Sequence, residues 1–277
     1  MSARAPSAAA PLPTLFISHG SPLHALEAGA AGASWARLAE RLPRPRALLM
    51  VSAHWETAQP ALTAAEAPAT IHDFYNFPEA LYRIRYPAPG APALAARART
   101  LLEDAGFEAA LDAERGLDHG AWSPLLHMYP AADVPVVQLS VQTARGAAHH
   151  LALGRALRPL ADEGVLVVGS GHMTHNLGDR APGGEAAAPL AYVQAFRDWI
   201  DARREARERD ALADYRRQAP HAGRAHPSEE HFLPLFVALG AAADAYRVER
   251  IHQGVESAAL AMDSYRFDPF QAPQAAS

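Results

Sequence analysis

Two periodicities run through the chain. Thr14–Ser18, Ala47–Ser52, Val134–Val141 and Val165–Val168 are apolar at nearly every position, which predicts strands buried on both faces. Between them, Ser34–Leu42, Ala91–Ala105 and Ala147–Glu163 suit helices, the first closed by Pro43 and Pro45. This succession predicts an α/β fold: a single domain with a mainly parallel, mixed central sheet and helices on both faces. Further on, Ala191–Arg217 predicts a long helical region with solvated charges. Pro227–Gly240 predicts a helix capped by Ser228, with acidic residues and His231 in its first turn. Tyr246–Ile251 is expected to be the last strand.

The segment Glu56–Gly90 breaks the periodicity. Its many prolines, with Ile71-His72-Asp73-Phe74 and Tyr82-Arg83-Ile84-Arg85-Tyr86, suit a lid or pocket wall. Gly178–Ala188 is flexible by composition. The Ala/Pro-rich ends predict tails over 1–12 and 266–277, leaving 13–265 as the catalytic domain.

Three of the predicted strands share one feature. The first delivers His19-Gly20, the second His54-Trp55, and the run Val165-Leu166-Val167-Val168-Gly169-Ser170-Gly171 delivers His172 and His175. Ligand sites in open α/β sheets gather outside the carboxyl ends of the strands. His19, His54 and His175 therefore read as walls of one site, whereas His24, His127, His149, His150, His221 and His252 fit ordinary surface or core roles.

Composition narrows the chemistry. The 277 residues carry a formal net charge of -5, which gives no general attraction to nucleic acid or anionic lipid, and no run is long and apolar enough to span a membrane. The N-terminus does not read as a secretory signal, so the expected compartment is the cytoplasm. No cysteine is present, which excludes disulfides, thiolate ligands and a thiol nucleophile. All 25 basic residues are arginine, which excludes Schiff-base chemistry and a Walker lysine. What remains is histidine, carboxylate, hydroxyl and metal, and histidine is abundant at 14 residues.

Several neutral imidazoles without thiolates suit Zn(II) or Fe(II) more than the oxygen-loving Mg or Ca. Neither His-Glu-x-x-His nor Gly-x-Ser-x-Gly occurs, which weakens a zinc protease and a serine hydrolase.

Seven motifs then fall in order: Ser18-His19-Gly20-Ser21-Pro22, Ser52-Ala53-His54-Trp55, Ile71-His72-Asp73-Phe74, Tyr86-Pro87-Ala88-Pro89-Gly90, Asp118-His119-Gly120, Gly169-Ser170-Gly171 with His175-Asn176-Leu177, and Glu230-His231-Phe232-Leu233-Pro234-Leu235. Over residues 13 to 265 this resembles the class III extradiol ring-cleaving dioxygenases, in the 4,5-DOPA extradiol dioxygenase-like subfamily. The resemblance implies one α/β domain with a non-haem metal at the carboxyl ends of the strands. It implies His19, His54 and His231 as metal ligands, His175 as the catalytic acid-base residue near neutral pKa, and His119 as a histidine contacting substrate or oxygen. It further implies Fe(II) for ring cleavage with Zn(II) as an alternative occupant, and a catechol and O2 as partners, with no nucleic acid and no membrane.

His72 and His226 are weaker pocket candidates, and Glu230 is the runner-up to His231 because two neighbours on a helix point about 100° apart. Arg83 and Arg85 suit either substrate carboxylate recognition or plain surface charge. A zinc hydrolase, or a metal-binding protein without ring cleavage, would use the same histidines. The oligomeric state is open.

Overall fold

The computed structural model describes residues 11–182 and 187–270. The strands are β1 (Thr14–Ser18), β2 (Ala47–Glu56), β3 (Ala61–Thr63), β4 (Ala110–Asp112), β5 (Val136–Val141), β6 (Val165–Gly171), β7 (Tyr246–His252), β8 (Val255–Glu256), β9 (Leu260–Ala261) and β10 (Ser264–Pro269). Eight of them form one sheet in the order β4-β3-β5-β2-β6-β1-β10-β7, and β8 and β9 make a separate ribbon. The central block β5-β2-β6-β1 is parallel, while β3 meets β5, and β10 meets both β1 and β7, antiparallel. The expected mixed, mainly parallel architecture is what the chain adopts.

Strand parity builds two cores. Phe16, Leu49, Val51, Val137 and Val167 face the helices Pro92–Asp104, Gly146–Leu157, Ala191–Glu205 and Leu233–Ala241. Leu15, Ile17, Leu48, Met50 and Val168 face the helices Gly29–Glu40 and His119–Met128, with Trp35 and Trp122 filling the space between. Alternate side chains of a strand point to opposite faces, so a run apolar at every position feeds both layers.

The details depart from the sequence reading in several places. The helix expected over Ala147–Glu163 divides before Pro159, whose ring cannot continue the hydrogen-bond ladder. The region Ala191–Arg217 breaks after Glu205, and Arg197 and Arg204 are buried where solvation was expected; Arg197 pairs with the fully buried Asp263 at 2.8 Å. Ser228 caps nothing. Its hydroxyl bonds Glu230 at 3.0 Å, and the helix begins at Leu233, so His231 sits in the preceding turn.

The sheet also runs past residue 265. Residues 266–269 complete β10, because Phe267 packs between β1 and β7 and is buried, so the ordered fold extends beyond the expected tail boundary. Leu12 is likewise buried, its N–H donating to the Ala161 carbonyl at 3.1 Å. The rest of the expected tails, 1–10 and 271–277, and positions 183–186 of the stretch Gly178–Ala188 lie outside the described residues. The expected lid Glu56–Gly90 contains β3 and a short helix, Glu79–Arg83, with Leu62 and Leu81 fully buried. No described helix is long and apolar enough to cross a membrane.

Candidate metal centre

Register brings the histidines together. Ser18 of β1 pairs with Gly171 of β6, and Ser52 of β2 pairs with Ser170, so the residues that follow emerge at one end of the sheet. His19 leaves β1 directly. His54 lies inside β2 and not after it. Between Val51 and Glu56 the β2–β5 register slips, β2 spending five steps where β5 spends two, and such a bulge re-aims side chains.

His231 comes from the far side. Its turn is pressed onto β6, with its carbonyl accepting the His172 N–H at 2.7 Å. A Cβ at Gly171 would lie 2.0 Å from that carbonyl oxygen, and one at Gly169 would lie 2.2 Å from the Pro234 oxygen. The Gly-Ser-Gly run is there for close approach of two backbones.

His19, His54 and His231 each offer a ring nitrogen, and the three nitrogens lie within 4.8 Å of one another. Hydrogen bonds to the far edges of the rings fix the protons of His19 and His231. The Ser170 hydroxyl donates its one hydrogen to the Gly120 carbonyl, so it accepts from His19 Nδ1 at 3.0 Å and leaves His19 Nε2 bare. His231 Nδ1 donates to Glu230 Oε1 at 2.9 Å, and His54 Nδ1 faces Asp73 Oδ2 at 3.4 Å.

The consequence is a close meeting of ring nitrogens. Nε2 of His54 and the bare Nε2 of His19 are 3.0 Å apart, within hydrogen-bond distance. Burial, reinforced by the neighbouring imidazoles, pushes all three rings well below the usual histidine value, so they offer neutral nitrogens at neutral pH. The donor set of three neutral imidazoles, oriented by hydroxyl and carboxylate partners, fits a non-haem transition metal.

His175 and His119 flank this group. The His175 ring stacks on His231 with centroids 3.5 Å apart and planes 15° from parallel. Burial, then the charges of Arg180 and His119, lower His175 to about 4, below the near-neutral value expected from sequence; the ring is neutral, the base form, at pH 7. His119 opens its helix behind the N-cap Asp118, whose side chain accepts from the Ala121 N–H. Its ring centroid lies 4.0 Å from that of His54.

Asp73, which sequence reasoning left without a role, binds His119 twice, accepting its backbone N–H and its Nδ1–H at 2.9 Å each. Burial alone would raise the Asp73 carboxyl, but the hydrogen bonds and charge of His119, with His54, hold it near about 2. Only the motif Ile71-His72-Asp73-Phe74 signalled it. A second unassigned residue, His172, is buried with its Nδ1 unpartnered, its ring 5.3 Å from His19 and 5.1 Å from His175.

Glu230 bonds Nδ1 of His231 and stands outside the group of His19, His54 and His231, but it forms a second candidate group with His175 and His231, whose ligand atoms also lie within 4.8 Å of one another. His72 bonds the Ile84 carbonyl at 3.0 Å, and His226 donates to the Met173 carbonyl at 2.9 Å while stacking on Phe232; neither joins the cluster. Arg83 pairs with Glu79, and Arg85 donates to the Tyr82 and Ile84 carbonyls, so both guanidiniums are engaged within their own segment.

Residues 13–268 match the family described as the catalytic LigB subunit of aromatic ring-opening dioxygenase. Among curated proteins, the 4,5-DOPA dioxygenase extradiol of Beta vulgaris is 43% identical over 92% of this chain and 96% of its own length. The protein of that name from Escherichia coli K12 is also 43% identical, over 91% and 93%. The crystal structure of an uncharacterized protein from Escherichia coli K12 superposes with a TM-score of 0.78 at 36% identity, covering 92% of this chain and 99% of that one. Sheet, histidine centre and these likenesses agree, and the chain belongs to the class III extradiol, aromatic ring-opening dioxygenases of the LigB family.

Proposed function

We propose that the protein opens the ring of a DOPA-like catechol between a hydroxyl-bearing carbon and its unsubstituted neighbour, giving a muconic semialdehyde, with Fe(II) held by His19, His54 and His231. The observation that carries this reading is the convergence of ring nitrogens from His19, His54 and His231 within 4.8 Å of one another. When bound, the metal supplies positive charge that acidifies the diol and brings it together with dioxygen. Both oxygen atoms enter the product and the ring supplies all the electrons, so no external reductant is needed.

The protein's own groups do the rest. His175, neutral at pH 7, takes the proton of one diol hydroxyl on a ring nitrogen. Asp73 holds the Nδ1–H of His119 and so leaves Nε2, on the opposite edge of that ring, to face substrate. Glu230 and Ser170 fix two ligand tautomers through the bonds described above. The all-imidazole shell is uncharged and also accepts Zn(II), which makes zinc a competing occupant.

The test is anaerobic loading with Fe(II) or Zn(II), followed by oxygen uptake with a panel of catechols that includes DOPA. A yellow product with one O2 consumed per ring supports the reading. Folded, iron-loaded protein that consumes no oxygen across the panel overturns it, and hydrolysis with Zn(II) but no oxygen uptake would identify a hydrolase in its place.

A further inference from the structure

The bulge in β2 leaves His54 without strand partners. Ser52 is the last residue of β2 that pairs with β6, and pairing with β5 lapses after Val51 and resumes only at Glu56. The N–H and C=O of His54, which a ladder would hold, must therefore be fixed by other groups.

Two side chains take them up. The His54 N–H donates to Ser52 Oγ at 3.2 Å, and the His54 carbonyl accepts from Arg115 Nη2 at 3.3 Å. Ser52 gives its own hydroxyl hydrogen to Asp118 Oδ1 at 2.6 Å, and Arg115 Nη2 also reaches Asp118 Oδ2 at 3.2 Å. The groups that hold the His54 backbone thus meet on one carboxylate, each on its own oxygen.

Asp118 is fully buried, a costly place for a carboxylate whose lone pairs are not met. Here they are met. Besides Ser52 and Arg115, Gln138 Nε2 donates to Oδ2, and the Ala121 N–H donates to Oδ1 at 3.3 Å. Gln138 is itself a polar residue in the buried strand β5, and its Oε1 accepts the Asp118 N–H at 3.4 Å. Arg115 is braced from the other side by Trp55, whose ring lies 5.2 Å from its Cζ.

The same carboxylate caps the helix His119–Met128, so its bond to the Ala121 N–H fixes the turn from which His119 projects. That turn is pressed onto β2. A Cβ at Gly120 would lie 2.4 Å from Ser52 Oγ and 3.0 Å from His54 Cδ2. The rings of His54 and His119, with centroids 4.0 Å apart, are therefore both set by groups converging on Asp118, although none of its hydrogen bonds goes to either ring.

We propose that Asp118 is a positioning residue for ring cleavage: through Ser52 and Arg115 it sets the backbone of His54 in the bulge, and through the helix cap it sets His119 against that ring. This rests on the reading of His54 as a metal ligand. It adds a residue that touches neither metal nor substrate and acts on two that do.

The experiment is titration of the unaltered protein, Asp118→Asn, Ser52→Ala and Arg115→Ala with Co(II), reading both affinity and the visible d–d absorption. The amide of Asp118→Asn keeps the side-chain volume but offers one acceptor oxygen in place of two, so one arm is lost. Affinity for Co(II) should fall about tenfold, with a shift in the absorption bands as the approach of His54 changes. A purely structural role would leave the spectrum of the folded variant unmoved. Ser52→Ala and Arg115→Ala should give smaller effects of the same kind. The effect of Ser52→Ala/Asp118→Asn should fall short of the sum, because both changes act on one bond. At saturating Fe(II), Asp118→Asn should lower kcat several-fold more than Ser52→Ala, since it alone uncaps the helix carrying His119; equal kcat overturns that half of the proposal.

Folded Asp118→Asn with unaltered affinity and spectrum overturns the proposal, as does strict additivity. If Asp118→Asn does not fold, Arg115→Ala, at a partly exposed position, carries the same test. Failure of the unaltered protein to bind Co(II) would count against the histidine centre itself. Exchange of the His54 amide hydrogen in the metal-free protein then decides: faster exchange in Ser52→Ala and Asp118→Asn supports the arms, and an unchanged rate in both overturns them.

Discussion

His175 and His231 lie face to face at 3.5 Å, so the expected base and an expected ligand share one packing contact. Removing the base should therefore leave the ligand in place. His175→Ala is expected to keep its metal and lose turnover by about 10²- to 10⁴-fold, the usual range for a general base. Metal analysis beside oxygen uptake checks both halves, and loss of metal in this variant would assign His175 to the coordination shell.

The ligands behave differently. His54→Ala should lose bound metal altogether, whereas Glu230→Gln should retain a ligand set of weaker affinity, by about 10- to 100-fold, because only the partner of His231 Nδ1 has changed. Competition with a chelator of known strength measures the difference. Equal loss in the two variants would mean that Glu230 ligates directly.

Asp73 is expected to act through His119. In Asp73→Asn the amide can present a donor to Nδ1, which reverses the tautomer and puts a hydrogen on Nε2. Turnover should fall by about 10- to 100-fold with metal content largely kept. Recovery of activity in Asp73→Glu, where a carboxylate still reaches the ring, would separate this role from a purely structural one.

Gly171→Ala tests the contact between β6 and the His231 turn. The added methyl would meet a backbone oxygen that cannot swing aside, so a loss of about 1–3 kcal/mol or more is expected, together with weaker metal binding as the turn is displaced. Denaturant midpoints and metal titration give the two readouts. A stable variant with normal metal affinity would show that the two backbones are free to separate.

His150 predicts an acid-side loss of stability remote from the catalytic chemistry. It is fully buried, its Nδ1–H donating to the Gly146 carbonyl at 2.7 Å and its Nε2 accepting the Gln142 N–H at 3.1 Å. Burial lowers it from the usual 6.5 to about 4. The unfolded chain therefore takes up this proton first, so the contribution is fully present above pH 6.5 and is lost as pH falls toward 4. The loss amounts to about 3 kcal/mol at about 1.4 kcal/mol per pH unit. Urea midpoints across that window should fall less steeply in His150→Gln.

Much of this was written in local pattern. Strands apolar at every position announced the buried parallel block, and the histidines after Ser18 and around Ser52 stood out because small residues separate them from those runs. Other features depend on contacts made only in the folded chain. Asp73 and Glu230 matter through the ring edges they face, which no spacing reveals. The turn bearing His231 read as a helix start because Ser228, Glu229 and Glu230 are good first-turn residues, yet packing against β6 holds that segment out of the helix. Strands β3 and β4, of three residues each, are too short to show a period, and β10 mixes polar and apolar residues like a tail.

The place of β1 between β6 and β10 has a consequence for biogenesis. Its neighbours across the sheet, at Val168 and Arg266 beside Leu15, both lie far along the chain. His19 therefore waits unanchored until both of those distant segments have been made, and the three imidazoles cannot meet before His231 has been added. Contacts this distant in sequence form slowly, so metal capture follows the closing of this sheet and does not guide it.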